Sequence, residues 1–145
     1  MKKQDYENMY TVIGAAMEVY NELGRGMEEP IYQNALQIEL EEQGIPYERE
    51  KKMRTFYKGK QLKPYYYADF ICFGNIVVEL KSVSSLNPEH RAQLFNYMRI
   101  TKMELGILIN YGSKMLISER YVYDKEEDQF ILITKDNYHD IINLI

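Results

Sequence analysis

The segment Ile76-Val77-Val78-Glu79-Leu80-Lys81 constrains this chain more than any other. Its β-branched run reads as a central strand. Strand side chains alternate, so Glu79 and Lys81 share one face while Leu80 takes the other. A carboxylate and an ammonium in the most apolar strand of a chain need a reason, because burying charge is costly. The reason lies one strand upstream. Gln61 to Cys72 also reads as a strand, with Phe73-Gly74-Asn75 as the turn between the two. If that turn is a three-residue loop, Cys72 pairs with Ile76 and Asp69 falls opposite Glu79, with Cβ atoms about 4.5–5.5 Å apart. A two-residue loop would send Asp69 to the other face. Two carboxylates at that separation can share a divalent cation. Hard oxygen ligands without a Cys–His cluster favour Mg²⁺ or Mn²⁺ over zinc. The same residues are compatible with a simpler role, an ion pair of Lys81 with Glu79 or Asp69 that stitches two strands together.

Around this hairpin the pattern predicts helices and further strands. Met9, Val12, Ile13, Ala16, Met17 and Tyr20 fall at helical spacing, and Gly24-Arg25-Gly26 stops that helix. A second helix runs from about Glu29 to Gln43, with Pro30 in its first turn, Gly44 at its end, and an apolar side of Ile31, Ala35, Leu36, Ile38 and Leu40. Pro46 to Tyr57 reads as a strand and Lys58-Gly59-Lys60 as a turn. Asn87-Pro88 opens a helix to about Lys102, and Leu105 to Asn110 is a strand of the kind buried on both faces. Met115 to Asp124 and Gln129 to Thr134 read as an added hairpin, and Asp136 to Leu144 as a closing helix. The order is α-α-β-β-β-α-β-β-β-α, a mixed sheet flanked by helices. No repeat, linker or low-complexity stretch divides the 145 residues, so residues 1–145 read as one domain.

Composition excludes other classes. With 46% apolar and 13% aromatic residues the chain can bury a core, and no apolar run approaches the roughly 18 residues of a membrane span. No apolar run follows the lysines of the N-terminus, so it does not read as a secretory signal. The single cysteine, Cys72, fits a reducing cytoplasm, the expected location. A formal charge of −4 argues against a nucleic-acid coat protein. The charge is uneven, however. Lys51, Lys52, Arg54, Lys58, Lys60 and Lys63 carry +6 with no acid among them, leaving −10 for the rest. Phe56, Tyr57, Tyr65, Tyr66 and Tyr67 are interleaved with these bases or follow them. Lysines that neutralise phosphates beside rings that stack on bases suit a polyanion; lysines that block edge-to-edge pairing suit a plain edge strand.

On the helix after the Glu79-Leu80-Lys81 strand, Gln93 and Tyr97 share a face at i and i+4. An amide and a phenol there can hold a water or a phosphate oxygen. Glu29 and Tyr32 stand at i and i+3, where Glu29 also suits a helix dipole. His90 offers a phosphate contact or a plain surface residue, and His139 falls in no recognisable motif.

Together these residues resemble the PD-(D/E)xK nuclease superfamily, through Asp69, then Glu79-Leu80-Lys81, then Gln93-Leu94-Phe95-Asn96-Tyr97, which is similar to the Q-x-x-x-Y motif of its exonuclease branch. More narrowly, Gly26-Met27-Glu28-Glu29-Pro30-Ile31-Tyr32, Tyr66-Tyr67-Ala68-Asp69 and Glu89-His90-Arg91-Ala92-Gln93 resemble the small GxxExxY family. The resemblance spans roughly Ile13 to Tyr111. It implies a restriction-endonuclease-like α-β-β-β-α-β core with an extra N-terminal helix and a C-terminal hairpin and helix. It also implies Asp69, Glu79 and Glu29 as metal ligands, Lys81 as the catalytic lysine, and Gln93 and Tyr97 as supporting groups, with Glu18 a weaker substitute for Glu29. The expected activity is Mg²⁺- or Mn²⁺-dependent phosphodiester hydrolysis, in DNA before RNA. The alternative is a catalytically silent nuclease fold that binds nucleic acid or regulates a partner. A nuclease domain this small is expected to dimerise or to work with another protein.

Overall fold

The computed structural model describes residues 1–63 and 66–142. Helix α1 (Lys3–Leu23) ends where Gly24 adopts φ 73° and returns its N–H to Tyr20 O at 2.8 Å, a backbone that a β-carbon disfavours. It buries Met9, Val12, Ala15, Ala16 and Val19, whereas Met17, expected in the core, is 40% exposed. Helix α2 (Glu29–Glu42) starts with Pro30 in its first turn and buries Tyr32, Gln33, Leu36 and Leu40. Here too the apolar side differs from expectation, since Ile31 and Ile38 face solvent. A polar residue, Gln33, occupies the inner stripe in their place, because it has a partner in the sheet.

The sheet has six strands in the order β1-β4-β5-β6-β7-β8: β1 (Tyr47–Met53), β4 (Tyr66–Cys72), β5 (Ile76–Lys81), β6 (Leu105–Asn110), β7 (Ile117–Asp124) and β8 (Gln129–Leu132). Neighbours are antiparallel except β5 and β6. That parallel pair is joined by helix α3 (Pro88–Thr101), as a parallel connection requires. The expected strand from Pro46 to Tyr57 is broken. After Met53 the chain leaves the sheet and forms a separate two-stranded ribbon, β2 (Phe56–Tyr57) with β3 (Lys60–Gln61), before re-entering as β4. The break falls at Arg54 and Thr55, where the Thr55 carbonyl accepts Leu62 N–H at 2.8 Å instead of a ladder bond. Helix α4 (Tyr138–Ile142) closes the chain; Tyr65 and the expected end of the last helix at Leu144 lie outside the described residues.

Two apolar layers sandwich the sheet. One joins α1 and α2 to Phe70, Val78, Leu80 and Ile107; the other joins Leu94 and Met98 of α3 to Ile71, Val77 and Leu108. Strands β5 and β6 are buried on both faces, apart from the half-buried Lys81 at the end of β5. That is why residues 76–78 and 105–109 read as continuous apolar runs. Among the described residues no helix is long and apolar enough to cross a membrane.

Candidate active site

Turn length decides this site. Phe73, Gly74 and Asn75 form a three-residue turn in which Phe73 and Gly74 take φ 55° and 75°. Cys72 therefore pairs with Ile76, Ile71 with Val77 and Phe70 with Val78. At the next step the two strands part. Asp69 fills the gap with its side chain: Oδ2 accepts the Leu80 N–H at 2.7 Å. The ladder to β1 is interrupted at the same level, between the Arg49–Phe70 and Lys51–Ala68 pairs, where Glu50 takes φ 52°. That conformation is uncommon for a residue other than glycine. Both neighbours of β4 thus loosen around Asp69.

Glu79 sits beside it, 2% exposed, with Oε1 buried and unpartnered. The two carboxyl groups are close enough to share a hydrogen bond. Burial pushes the Asp69 carboxyl up, against the Leu80 N–H and Lys81, which favour its charge. Burial and the Asp69 charge push Glu79 well above the ordinary range. A pair in this state holds a proton between its members or calls for a cation.

Lys81 lies on the Glu79 face, as alternation requires, and its Nζ donates to Gln93 Oε1 of α3 at 2.6 Å. None of the described ion pairs joins it to either carboxylate, so the stitching role is not what the geometry displays. Gln93 and Lys81 thus meet, but Tyr97 does something else. Its hydroxyl donates to Lys51 O at 3.2 Å, tying α3 to the edge strand, and burial together with the Glu79 charge pushes its pKa to about 12.

Glu29 is exposed at the first position of α2 and lines, with Asp69, Gln33, Leu80 and Ser82, an open cleft of about 590 Å³. Its charge is felt at Glu79. It does not complete a three-carboxylate cluster: among the described residues no group of three His, Cys, Asp or Glu is placed to hold one ion. The first helical position, where the charge meets the helix dipole, holds the side chain in solvent. Glu18 is likewise exposed on α1. The fit for a divalent cation therefore rests on two neighbouring carboxylates, Glu79 with an orphaned buried oxygen and Asp69 lining the solvent cleft. Mg²⁺ is commonly held in this way, by one or two carboxylates with waters and substrate phosphates completing the shell.

The structure adds residues that spacing did not reveal. Gln33, 8% exposed, points Nε2 at Asp69 Oδ1 (3.4 Å), while its Oε1 accepts from Arg49 Nη2 at 3.0 Å. Arg49 Nη1 is held in turn by Gln37 Oε1 at 2.6 Å. A guanidinium can only donate, so it dictates which end of the Gln33 amide faces Asp69. The only sequence sign of this relay is a glutamine on the buried stripe of α2. Tyr32, fully buried and stacked on Tyr111 at 4.1 Å, donates to Gly24 O (2.6 Å) and accepts from Met27 N (3.1 Å). Gly26 donates to Tyr111 O, and Ser82 Oγ bonds Met27 O. The Gly26–Tyr32 segment thereby locks the loop before α2 against the end of β5.

His90 belongs to the α3 cap: its Nδ1 accepts the Asn87 N–H and its own N–H donates to Asn87 Oδ1, both at 3.1 Å. One imidazole nitrogen is thereby withdrawn from the expected phosphate contact. Of the basic run, Lys51 pairs with Glu48 at 2.9 Å on the edge strand, Lys52 is half-buried, and Arg54, Lys58, Lys60 and Lys63 are exposed. Lys51, Lys52 and Arg54 line a second cleft of about 450 Å³ that also reaches Tyr97.

A family model described as the PD-(D/E)XK nuclease superfamily matches residues 6–121. Among solved structures, the crystal structure of SSO0001 is similar over 68% of this chain, with 23% identity and a TM-score of 0.51, a likeness of fold. The chain spans about half of that protein, 52% of its length. No curated protein matches.

Proposed function

The chain belongs to the PD-(D/E)XK nuclease superfamily, and from that premise we propose that it is a Mg²⁺- or Mn²⁺-dependent phosphodiesterase acting on DNA in preference to RNA. The observation that carries the reading is the carboxylate pair, a buried Glu79 with Oε1 unpartnered beside the half-buried Asp69, which lines an open cleft. Asp69 and Glu79 are the metal ligands of this proposal, and Glu29 is a carboxylate at the cleft mouth. A bound divalent cation supplies Lewis-acid charge to the phosphoryl oxygens. The protein's own groups do the rest. Leu80 N–H and Gln33 orient Asp69 from two sides. The Lys81 ammonium has three donors, one committed to Gln93. The other two are free to hold the attacking water and to stabilise charge on the phosphoryl group. Water adds to phosphorus and gives up one proton, one P–O ester bond breaks, and the departing oxygen takes up one proton, so the proton count is unchanged. Gln93 keeps the ammonium at this position, and Tyr97 holds the helix that carries Gln93 against β1. Lys51, Lys52, Arg54, Lys58, Lys60 and Lys63 are the proposed phosphate-binding side. The narrower membership in the GxxExxY family is part of the same proposal.

The test is cleavage of labelled single-stranded, duplex and branched DNA, and of RNA, by purified protein with Mg²⁺ or Mn²⁺. Wild type is expected to cut at least one of them, and Asp69→Ala and Lys81→Ala to abolish the cut. Equal trace activity in wild type and Lys81→Ala on every substrate overturns the proposal. Binding of metal and nucleic acid without turnover would instead mark the silent, regulatory form of the fold.

A further inference from the structure

Between β1 and β4 the chain builds an arm that the six-stranded sheet does not need. Phe56 pairs with Gln61 and Tyr57 with Lys60. Lys58 and Gly59 both take positive φ, 50° and 77°, the backbone of a tight type I′ hairpin. Alternation along so short a ribbon puts the Phe56 ring on one face and the Tyr57 ring on the other. Each ring is 61% exposed. A two-stranded ribbon gains little stability from itself, and neither ring belongs to either apolar layer of the core. The charge around the rings has one sign: Lys58 and Lys60 flank the tip, Arg54 and Lys63 stand at the base, and residues 51–63 contain no acid. The arm also leaves the sheet at the right end. The last β1–β4 pair, Met53 with Tyr66, lies three residues from Asp69, about 10 Å at the rise of a strand.

We infer that the β2–β3 arm receives unpaired nucleic acid, its lysines meeting the backbone phosphates and Phe56 and Tyr57 each stacking a base on opposite faces of the ribbon. Every base has a π-face, so such a platform accepts any sequence. Within a closed duplex those faces are already stacked, which leaves the rings nothing to hold. The arm therefore selects a single-stranded segment, such as an overhang or flap, beside the carboxylate cleft. An acidic protein surface would satisfy the lysines, but it gives no use to a solvent-exposed ring on each face. The inference rests on the nucleic-acid reading above and deepens it by naming the class of substrate.

The test is fluorescence anisotropy of the full chain in EDTA. The probes are a fluorescein-labelled single strand and a duplex of the same sequence with closed hairpin ends. The single strand is expected to bind more tightly. Phe56→Ala with Tyr57→Ala should weaken it tenfold or more, since stacking on one ring is worth about 5- to 150-fold per base, and should change duplex binding by less than about twofold. The ring-retaining pair Phe56→Tyr with Tyr57→Phe should bind as wild type does, which separates loss of stacking from loss of the arm's fold. Lys58→Gln with Lys60→Gln should flatten the salt dependence on single strands by about 1.4 in log–log slope. Equal affinity for the two probes, an equal loss on both in the alanine pair, or no binding to either overturns the inference; the last result leaves an acidic protein as the partner. Binding is read without metal, so a failure of metal-dependent cleavage refutes the phosphodiesterase proposal and leaves this result standing, and the reverse holds equally.

Discussion

Replacing Glu79 by glutamine should stabilise the metal-free protein and abolish its response to metal. The side chain is 2% exposed, its Oε1 lacks a partner, and Asp69 is its immediate neighbour. Two like charges about 4 Å apart at an effective dielectric of about 20 repel by about 4 kcal/mol, and Lys81 offsets part of this. The protein escapes the repulsion only by keeping a proton on the pair, which costs about 1.4 kcal/mol for each pH unit above the carboxyl's ordinary value. Both carboxyls titrate higher in the folded chain than in the unfolded one. Their contribution is therefore complete below the usual carboxylate range and is lost as pH rises through the native values. Near about pH 8 in EDTA, Glu79→Gln should consequently be more stable than wild type by about 1–3 kcal/mol. In a domain of this size that raises Tm by about 3–10 °C. The gap should close at about pH 4, where Glu79 is protonated. Adding Mn²⁺ at about 100 times its Kd should raise wild type by about 2.7 kcal/mol and leave the variant unmoved. Differential scanning calorimetry at the two pH values, with and without Mn²⁺, reads all of this. A variant less stable than wild type near pH 8, or one stabilised equally by metal, would refute the reasoning about the buried pair.

Three further outcomes are expected. Arg49→Leu frees the Gln33 amide to rotate and so loosens Asp69; Mn²⁺ affinity by titration calorimetry should fall about tenfold while the circular dichroism spectrum is retained. Tyr32→Phe removes a buried hydroxyl bonded to Gly24 O and Met27 N, so urea unfolding should show a loss of about 1–3 kcal/mol. Gly112→Ala would set a β-carbon 2.2 Å from Val83 O and within 2.5 Å of that residue's backbone, and the same unfolding assay should record a loss of about 3 kcal/mol or more.

Much of the fold was legible because its cues are local. A β-branched run and a Pro-started helix each depend on a few adjacent residues, and so do Glu79 and Lys81 on one face of β5; the three-residue turn that brings Asp69 to their level was one of two lengths open to the sequence. The basic run was legible as charge but not as shape. Arg54 and Thr55 carry no breaker signal, so a continuous strand was expected where the chain turns out into an arm. The apolar sides of α1 and α2 differ from expectation for a related reason, since helical spacing alone does not say which part of a broad apolar stripe meets the sheet. Met17, Ile31 and Ile38 face solvent, while Val19 and Gln33 face inward.

The sequence by itself determined most of the order of elements, the β4–turn–β5 hairpin, and the placing of Glu79 and Lys81 on one face of β5, because alternation is a property of neighbouring residues; the turn length that sets Asp69 beside them was read from the structure. Only the tertiary structure decided what surrounds them. Gln33 reaches Asp69 across 36 residues and Arg49 reaches Gln33 across 16, Tyr97 is turned to the edge strand, and Glu29 stands at the cleft mouth rather than in a three-carboxylate cluster. These outcomes depend on how α2 and α3 seat on opposite faces of the sheet. That seating is set by the summed packing of two apolar layers, a quantity no single motif contains.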